Sequence, residues 1–256
     1  MIDLHTHVLP GLDDGPATLA GSVAVAEVAA HAGTRTLVAT PHLRRDHPQV
    51  RPDELAARAR ELTEHLRGRG LPIDVVSGAE VDLDAAAALD DAELRLATLA
   101  GNGADLLVET PYGPLPADFE VRIDELAGRG FRITLAHPER NPTVRERVDR
   151  LGGLIERGVL VQLTARSLMG RGASAPAARE LLERGWAHVL ASDAHGLDVR
   201  PPDLGSRLRQ AVQAFPHAAD ELEWMVTVAP RAILDGRELG ERPLRSARRR
   251  RGLRRR

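Results

Sequence analysis

Two histidines near the N-terminus, in the run Asp3-Leu4-His5-Thr6-His7, have the spacing of a metal-binding pair. The residues before them, Met1 to Leu4, are short and apolar enough to form a first strand. On a strand, positions i and i+2 share a face. Two neutral imidazoles on one face make a bidentate site for a borderline divalent cation. An isolated His-x-His pair is as readily a chance neighbouring of two histidines, so the reading stands only if other ligands recur at other strand ends.

They do recur. Apolar runs at Arg35–Thr40, Ile73–Gly78, Asp105–Val108, Arg132–Ala136, Val159–Leu163 and His188–Ala191 read as further strands. Stripes such as Leu19, Val23, Ala26 and Ala30, or Leu55, Ala59, Leu62 and Leu66, place amphipathic helices between the first of them. Helical segments around residues 118–129, 142–157 and 175–184 separate the later ones, and 200–239 reads as helical with Pro230 as a break. Alternating strand and helix units with nearly continuous apolar strands imply a parallel sheet covered by helices. Seven such units predict an α/β fold, a distorted (β/α)7 barrel or a distorted eight-unit relative rather than an open sheet. In such barrels chemistry collects at the C-terminal ends of the strands. Those ends carry His5 and His7, then Asp13-Asp14, His42, Glu80, Glu109, His137-Pro138-Glu139-Arg140, and Asp193-Ala194-His195. Strand six ends in Thr164 and offers no obvious ligand.

Each of these residues has a plain alternative: His42 as a loop histidine, Asp193 as a helix cap. Together they follow strand ends too regularly for scatter. Mixed imidazole and carboxylate ligands without sulfur suit Mn²⁺, Fe or Zn²⁺. Nine candidates exceed what one ion uses, so two or three ions are implied, with carboxylates as the bridging groups.

Composition narrows the chemistry. The 256-residue chain has no cysteine, which excludes disulfides, thiolate ligands and a cysteine nucleophile. It has no lysine either, which excludes Schiff-base chemistry and a carboxylated lysine bridging two metals. Eight of the 35 arginines lie in 245–256, leaving 27 basic against 37 acidic residues, a net −10, in the remainder. An acidic body with a basic end does not read as a nucleic-acid-binding domain. No run of about 18 apolar residues predicts a membrane span. The absence of a leader pattern at the N-terminus makes a cytoplasmic location the expectation. Residues 1–239 read as one domain and 240–256 as a disordered arginine-rich tail.

The motifs His5-Thr6-His7, Asp13-Asp14-Gly15-Pro16, Thr40-Pro41-His42, Gly78-Ala79-Glu80, Ala136-His137-Pro138-Glu139-Arg140 and Ser192-Asp193-Ala194-His195 resemble those of the PHP (polymerase and histidinol phosphatase) superfamily. Asp14-Gly15-Pro16, Glu139-Arg140 and Asp198-Val199-Arg200-Pro201-Pro202 narrow the likeness to manganese-dependent protein-tyrosine phosphatases of bacterial capsule and exopolysaccharide loci. It runs from Met1 to about Leu234. The resemblance implies a trinuclear centre: His5, His7, Glu80 and Asp193 on one ion, Glu80 with Glu109 and His137 on a second, and Asp14, His42 and His195 on a third. Spacing does not choose between Asp13 and Asp14; the resemblance favours Asp14. Arg140 and Arg200 match the family's phosphate-holding arginines, and their planar forks suit bidentate phosphate contacts.

The implied reaction is phosphomonoester hydrolysis by a metal-bridging hydroxide, without a covalent phosphoenzyme. Asp198 or His195 is the candidate general acid. The implied partner is a phosphotyrosine protein, in particular a bacterial tyrosine kinase. The rival readings are a small-molecule phosphatase acting on a compound such as histidinol phosphate, an amidohydrolase, and a catalytically silent PHP module that only binds.

Overall fold

A computed structural model describes residues 1–245. Nine strands alternate with helices: β1 (Ile2–Thr6), β2 (Thr36–Ala39), β3 (His42–Leu43), β4 (Asp74–Ser77), β5 (Glu80–Val81), β6 (Asp105–Glu109), β7 (Arg132–Ala136), β8 (Leu160–Thr164) and β9 (Val189–Ala191). Every strand pairing is parallel. The hydrogen-bonded sheets are two rather than one closed ring, with orders β1-β2-β4 and β3-β5-β6-β7-β8-β9.

Seven expected strands became nine because two of them are interrupted. Thr40-Pro41 separates β2 from β3, and Gly78-Ala79 separates β4 from β5. Proline has no N–H to give a ladder. Beyond each interruption the chain pairs again, β3 with β5, and β5 with β6. A parallel bridge, Thr6 to Ala194, and two hydrogen bonds, His7 N–H to Ala194 O (2.8 Å) and Asp193 N–H to His5 O (3.0 Å), tie the end of β1 to the segment after β9.

The strands feed two cores. Leu37, Leu106, Val108, Ile133, Leu135, Val161 and Leu163 pack in the larger one with the helices. Val38, Leu107, Ala136, Leu160 and Val189 pack with Ile2, Leu4 and Ile233 in a second cluster. In β2, β6 and β8 the two sets alternate along the strand, as the period of two requires. Both faces are apolar, which is why these strands read as continuous hydrophobic runs.

Helix ends follow local chemistry. Thr18 caps Leu19–His31 through Gly21 N–H (3.2 Å), and Asp90 with Glu93 forms a reciprocal capping box on Asp91–Ala97. Three helical expectations are corrected. The segment 142–157 is not one helix but Pro142–Glu146, a 3₁₀ turn Val148–Leu151, and Gly152–Glu156. Its Gly152-Gly153 pair carries poor helix propensity. The short helices Leu83–Ala88 and Asp91–Ala97 were not anticipated. Pro230 does not break a helix; it sits in the first turn of Val228–Leu234, where its missing N–H costs nothing.

The expected tail begins differently too. Arg242 and Arg245 both form ion pairs with the buried Glu221, at 2.5 Å each, so residues up to 245 are held on the body. Residues 246–256 of that expected tail lie outside the described residues.

His188, just before β9, accepts the Val161 N–H on Nδ1 (3.0 Å). Burial, with Arg242 nearby, pushes its pKa down to about 4. A histidine held neutral in the fold contributes stability above its ordinary pKa and loses it as pH falls toward 4. The variant His188→Asn keeps an acceptor for Val161 but cannot titrate. Urea unfolding at pH 7 and pH 5 will show the unmodified chain losing about 1 kcal/mol more than the variant on acidification; equal losses would contradict this.

Candidate metal centre

The strand ends bring all nine sequence-derived candidates into one cluster, buried except for Asp14 at its rim. His5 and His7 present their Nε2 atoms 3.1 Å apart, as their spacing requires, although β1 is irregular between Asp3 and Thr6. His5 Nε2 lies 3.2 Å from Glu80 Oε2 and 3.3 Å from Asp193 Oδ1. Glu80 Oε2 lies 3.1 Å from His42 Nδ1, and Glu80 Oε1 is 2.8 Å from His137 Nε2. Glu109 Oε2 approaches His42 Nδ1 to 3.7 Å. Asp14 Oδ1 lies 3.1 Å from His195 Nε2 and 3.6 Å from His42 Nε2.

These atoms form four overlapping groups with cation-binding spacing: His7, Asp14, His42 and His195; His5, His137 and Asp193; His5, His7 and Glu80; His42, Glu80 and Glu109. They differ in detail from the ligand sets the resemblance implies. His7 joins the Asp14 group, and His42 rather than His137 joins Glu80 and Glu109.

Three imidazoles are oriented by their second nitrogen. His5 Nδ1 donates to Gln162 Oε1 (2.9 Å), His7 Nδ1 to Asp13 Oδ2 (2.6 Å), and His195 Nδ1 to the Asp193 carbonyl (3.0 Å). Each bond fixes the tautomer and turns an Nε2 lone pair into the cluster, the usual support for a metal-ligating histidine. The choice between the two adjacent aspartates follows: Asp13 supports His7 and the His42 N–H (3.0 Å), while Asp14 faces the cluster. Gly15 permits that turn, because a Cβ there would stand 2.4 Å from the His7 carbonyl oxygen.

Two ligands sit on strained backbone. His137 has φ 33° and Asp193 φ 53°, two of only three non-glycine residues with positive φ among the described residues. Such conformations persist where surrounding structure imposes them, and they concentrate at functional sites.

The donor set fits cations. His42 Nδ1, Glu80 Oε1, Asp193 Oδ1 and His195 Nε2 are buried and make no properly directed hydrogen bond among the described residues. Charge is poorly balanced by protein groups alone. Burial and the neighbouring Glu80 push Glu109 up to about 8. Burial would raise Glu80 as well, but His5 and His137 outweigh it and hold it well below the carboxylate range. Burial would lower His7, yet Asp13, Asp193 and Glu80 keep it well above the usual histidine value; His5 is raised in the same way by Glu80 and Asp193. His42 goes the other way, lowered by burial to about 4.

Two arginines close the rim. Arg140 reaches Asp193 Oδ2 at 2.5 Å; Arg200 reaches the same oxygen at 3.0 Å and Asp14 Oδ2 at 3.1 Å. They and Tyr112 line a small recess of about 70 Å³ over His42, Glu109 and His137. Asp198 is not brought in. His195 N–H and Gly196 N–H both donate to the Arg200 carbonyl, closing a tight loop with Asp198 on its exposed side.

Several supporting residues were given no such role from the sequence. Gln162 lies on β8 and also accepts the His137 N–H (3.2 Å). The buried Glu139 accepts from the Thr164 hydroxyl (2.7 Å), the strand end that offered no ligand. Arg44 links Glu109 (3.3 Å) to the Tyr112 hydroxyl (3.0 Å). Only their place beside the cluster identifies them.

A parallel α/β fold thus gathers overlapping histidine and carboxylate groups at its strand ends, in groups that could hold metal ions. The chain belongs to the capsular polysaccharide synthesis family CpsB/CapC, whose family model matches residues 1–232. It is 31% identical to tyrosine-protein phosphatase YwqE of Bacillus subtilis over 98% of both chains. It is 27% identical to the putative tyrosine-protein phosphatase CapC of Staphylococcus aureus, over 78% of this chain and 79% of that one. A solved structure from work on YwqE of Bacillus subtilis and CpsB of Streptococcus pneumoniae, described as unique metal-dependent tyrosine phosphatases, superposes with TM-score 0.82. It shares 29% identity and covers 97% of this chain and 100% of that chain.

Because His5 and His7 hold protons more tightly than free histidine, cation binding must expel protons, and affinity must rise with pH. Calorimetric titration of chelator-stripped protein with Mn²⁺ in buffers of different ionisation enthalpy at pH 7 will show net proton release. A heat independent of buffer would contradict it.

Proposed function

We propose that this chain is a manganese-dependent protein-tyrosine phosphatase. The observation that carries the reading is the convergence of nine buried or rim ligands on Glu80 and its neighbours, with two arginines facing them. Support also comes from the phosphatase names of its relatives and from the metal dependence described for the superposable structure.

Bound divalent cations supply an activated water and offset charge on the phosphoryl oxygens. His5, His7, Glu80 and Asp193 would hold one, Glu80, Glu109 and His137 a second, and Asp14, His42 and His195 a third; His7 and His42 stand close enough to be shared between groups. Oxygen and nitrogen donors without sulfur suit Mn²⁺, Fe or Zn²⁺, and the choice of Mn²⁺ rests on the family resemblance. Arg140 and Arg200 turn from Asp193 and Asp14 toward the substrate's equatorial oxygens and hold them through bidentate forks. A phenolate leaves without a strong general acid, so the place of Asp198 outside the cluster is no obstacle.

The same reading takes residues 1–239 as one phosphoesterase domain, with Arg242 and Arg245 latched onto it. It takes the two sheets as parts of a distorted (β/α)7 barrel. The Thr6–Ala194 bridge and the resumption of pairing at β3 and β5 favour that closure. The substrate would be a phosphotyrosine protein in the cytoplasm, with a tyrosine kinase that controls capsule or exopolysaccharide synthesis as its source. Among the described residues no helix is long and apolar enough to cross a membrane.

The test is phosphate release from a phosphotyrosine peptide by chelator-stripped protein, with and without Mn²⁺, with histidinol phosphate in parallel. Release from the peptide only when Mn²⁺ is present, lowered about 100-fold in kcat/KM by Arg140→Ala or Arg200→Ala, is the expected result. Preference for histidinol phosphate would keep the metal centre and overturn the substrate.

A further inference from the structure

Beside the metal centre lies a larger cavity of about 630 Å³. Arg140 and Arg200 line both this cavity and the small recess over the ligands. Three more arginines, Arg166, Arg171 and Arg207, line it, and no carboxylate does. That is unusual in a body whose residues before 245 carry a net charge of −10.

The charges are only partly cancelled: Arg140 and Arg200 pair with Asp193 and Asp14 at the metal centre. Arg207 pairs with Asp203 at 2.8 Å. Arg166 donates only to the Val199 carbonyl, and Arg171 makes no hydrogen bond or ion pair among the described residues. The helix Ala175–Glu183 begins at the cavity wall, and its N-cap Ser174 makes no side-chain capping bond, so the positive end of the helix adds to the field. Guanidinium groups left without carboxylate partners around a concave surface attract anions and select planar ones that accept two hydrogen bonds.

We propose that this cavity is a substrate subsite for acidic side chains flanking the phosphotyrosine, with Arg166 and Arg171 as its specificity-determining residues. The inference rests on the phosphotyrosine reading above. Because the cavity shares its inner arginines with the reacting site, its occupant is a continuation of the substrate chain: glutamate or aspartate side chains within a few residues of the phosphotyrosine. Exposed guanidinium–carboxylate pairs are individually weak and salt-sensitive, so two of them give a modest selectivity, about 5-fold to 10-fold.

The experiment compares three substrates with Mn²⁺-loaded protein at low and high salt: a phosphotyrosine peptide flanked by Asp and Glu, the same peptide flanked by Asn and Gln, and phenyl phosphate. The unmodified chain is expected to favour the acidic peptide about 5-fold to 10-fold in kcat/KM at low salt, and less at high salt. The double variant R166Q/R171Q is expected to lose that preference while keeping its rates on phenyl phosphate and the neutral peptide. Since Arg166 also holds Val199, the single variant Arg171→Gln serves as the milder change and is expected to lose part of the preference. Equal kcat/KM for the two peptides in the unmodified chain, or a preference surviving in the double variant, overturns the proposal. Failure of the phosphatase reading looks different: none of the three substrates is turned over. Fluorescence anisotropy of a labelled, unphosphorylated acidic peptide then decides the cavity alone. Binding weakened by R166Q/R171Q supports it, and no binding, or binding the variant does not change, overturns it.

Discussion

Three carboxylates, Glu80, Glu109 and Asp193, are buried together at the strand ends, and that burial is the constraint on which the rest of the site depends. Removing a carboxylate from water costs several kcal/mol even after relaxation. Arg140 and Arg200 partly offset Asp193, Arg44 reaches Glu109, and imidazoles surround Glu80, yet Glu109 remains pushed up to about 8 beside Glu80. A fold optimised for its own stability would not gather these groups. Divalent cations held by the overlapping groups would resolve the imbalance directly.

The scaffold serves this by rigidity. Ligands come from the ends of strands buried in the two cores, with β6, β7 and β9 contributing to both. His137 and Asp193 adopt left-handed backbone where the strands give way to loops, and the link between β1 and the segment after β9 brings Asp193 back to His5. Gln162, Asp13 and the Asp193 carbonyl then set which nitrogen of His5, His7 and His195 faces inward. Positioning is therefore shared between backbone and second-layer hydrogen bonds, and small changes in either move the ligands.

Much of this was legible in the sequence because the two governing patterns are local. Buried parallel strands are apolar throughout, and the candidate ligands stand at or just beyond their ends, so most of the nine could be named from position, with Asp14 chosen over Asp13 only by the resemblance. What escaped was long-range. Gln162 sits within a strand 157 residues from His5 and looks like an ordinary polar interruption. Asp13 and Asp14 are adjacent, and only the turn at Gly15 decides which one faces inward. Asp198 was one of two candidate acids, but it lies exposed in the loop closed by the Arg200 carbonyl and is not among the clustered groups. The tail's composition hid Arg242 and Arg245, because the buried Glu221 that holds them lies earlier in the chain, in the helix Ala219–Trp224.

The central claim is that these residues hold several cations around Glu80, and anomalous X-ray diffraction at the manganese edge from crystals grown with Mn²⁺ tests it most directly. The account predicts two or three anomalous peaks within ligand distance of Glu80, Asp14, Glu109 and the surrounding imidazoles, one of them between His5 and His7. A single peak remote from Glu80, or none at full manganese loading, would contradict it.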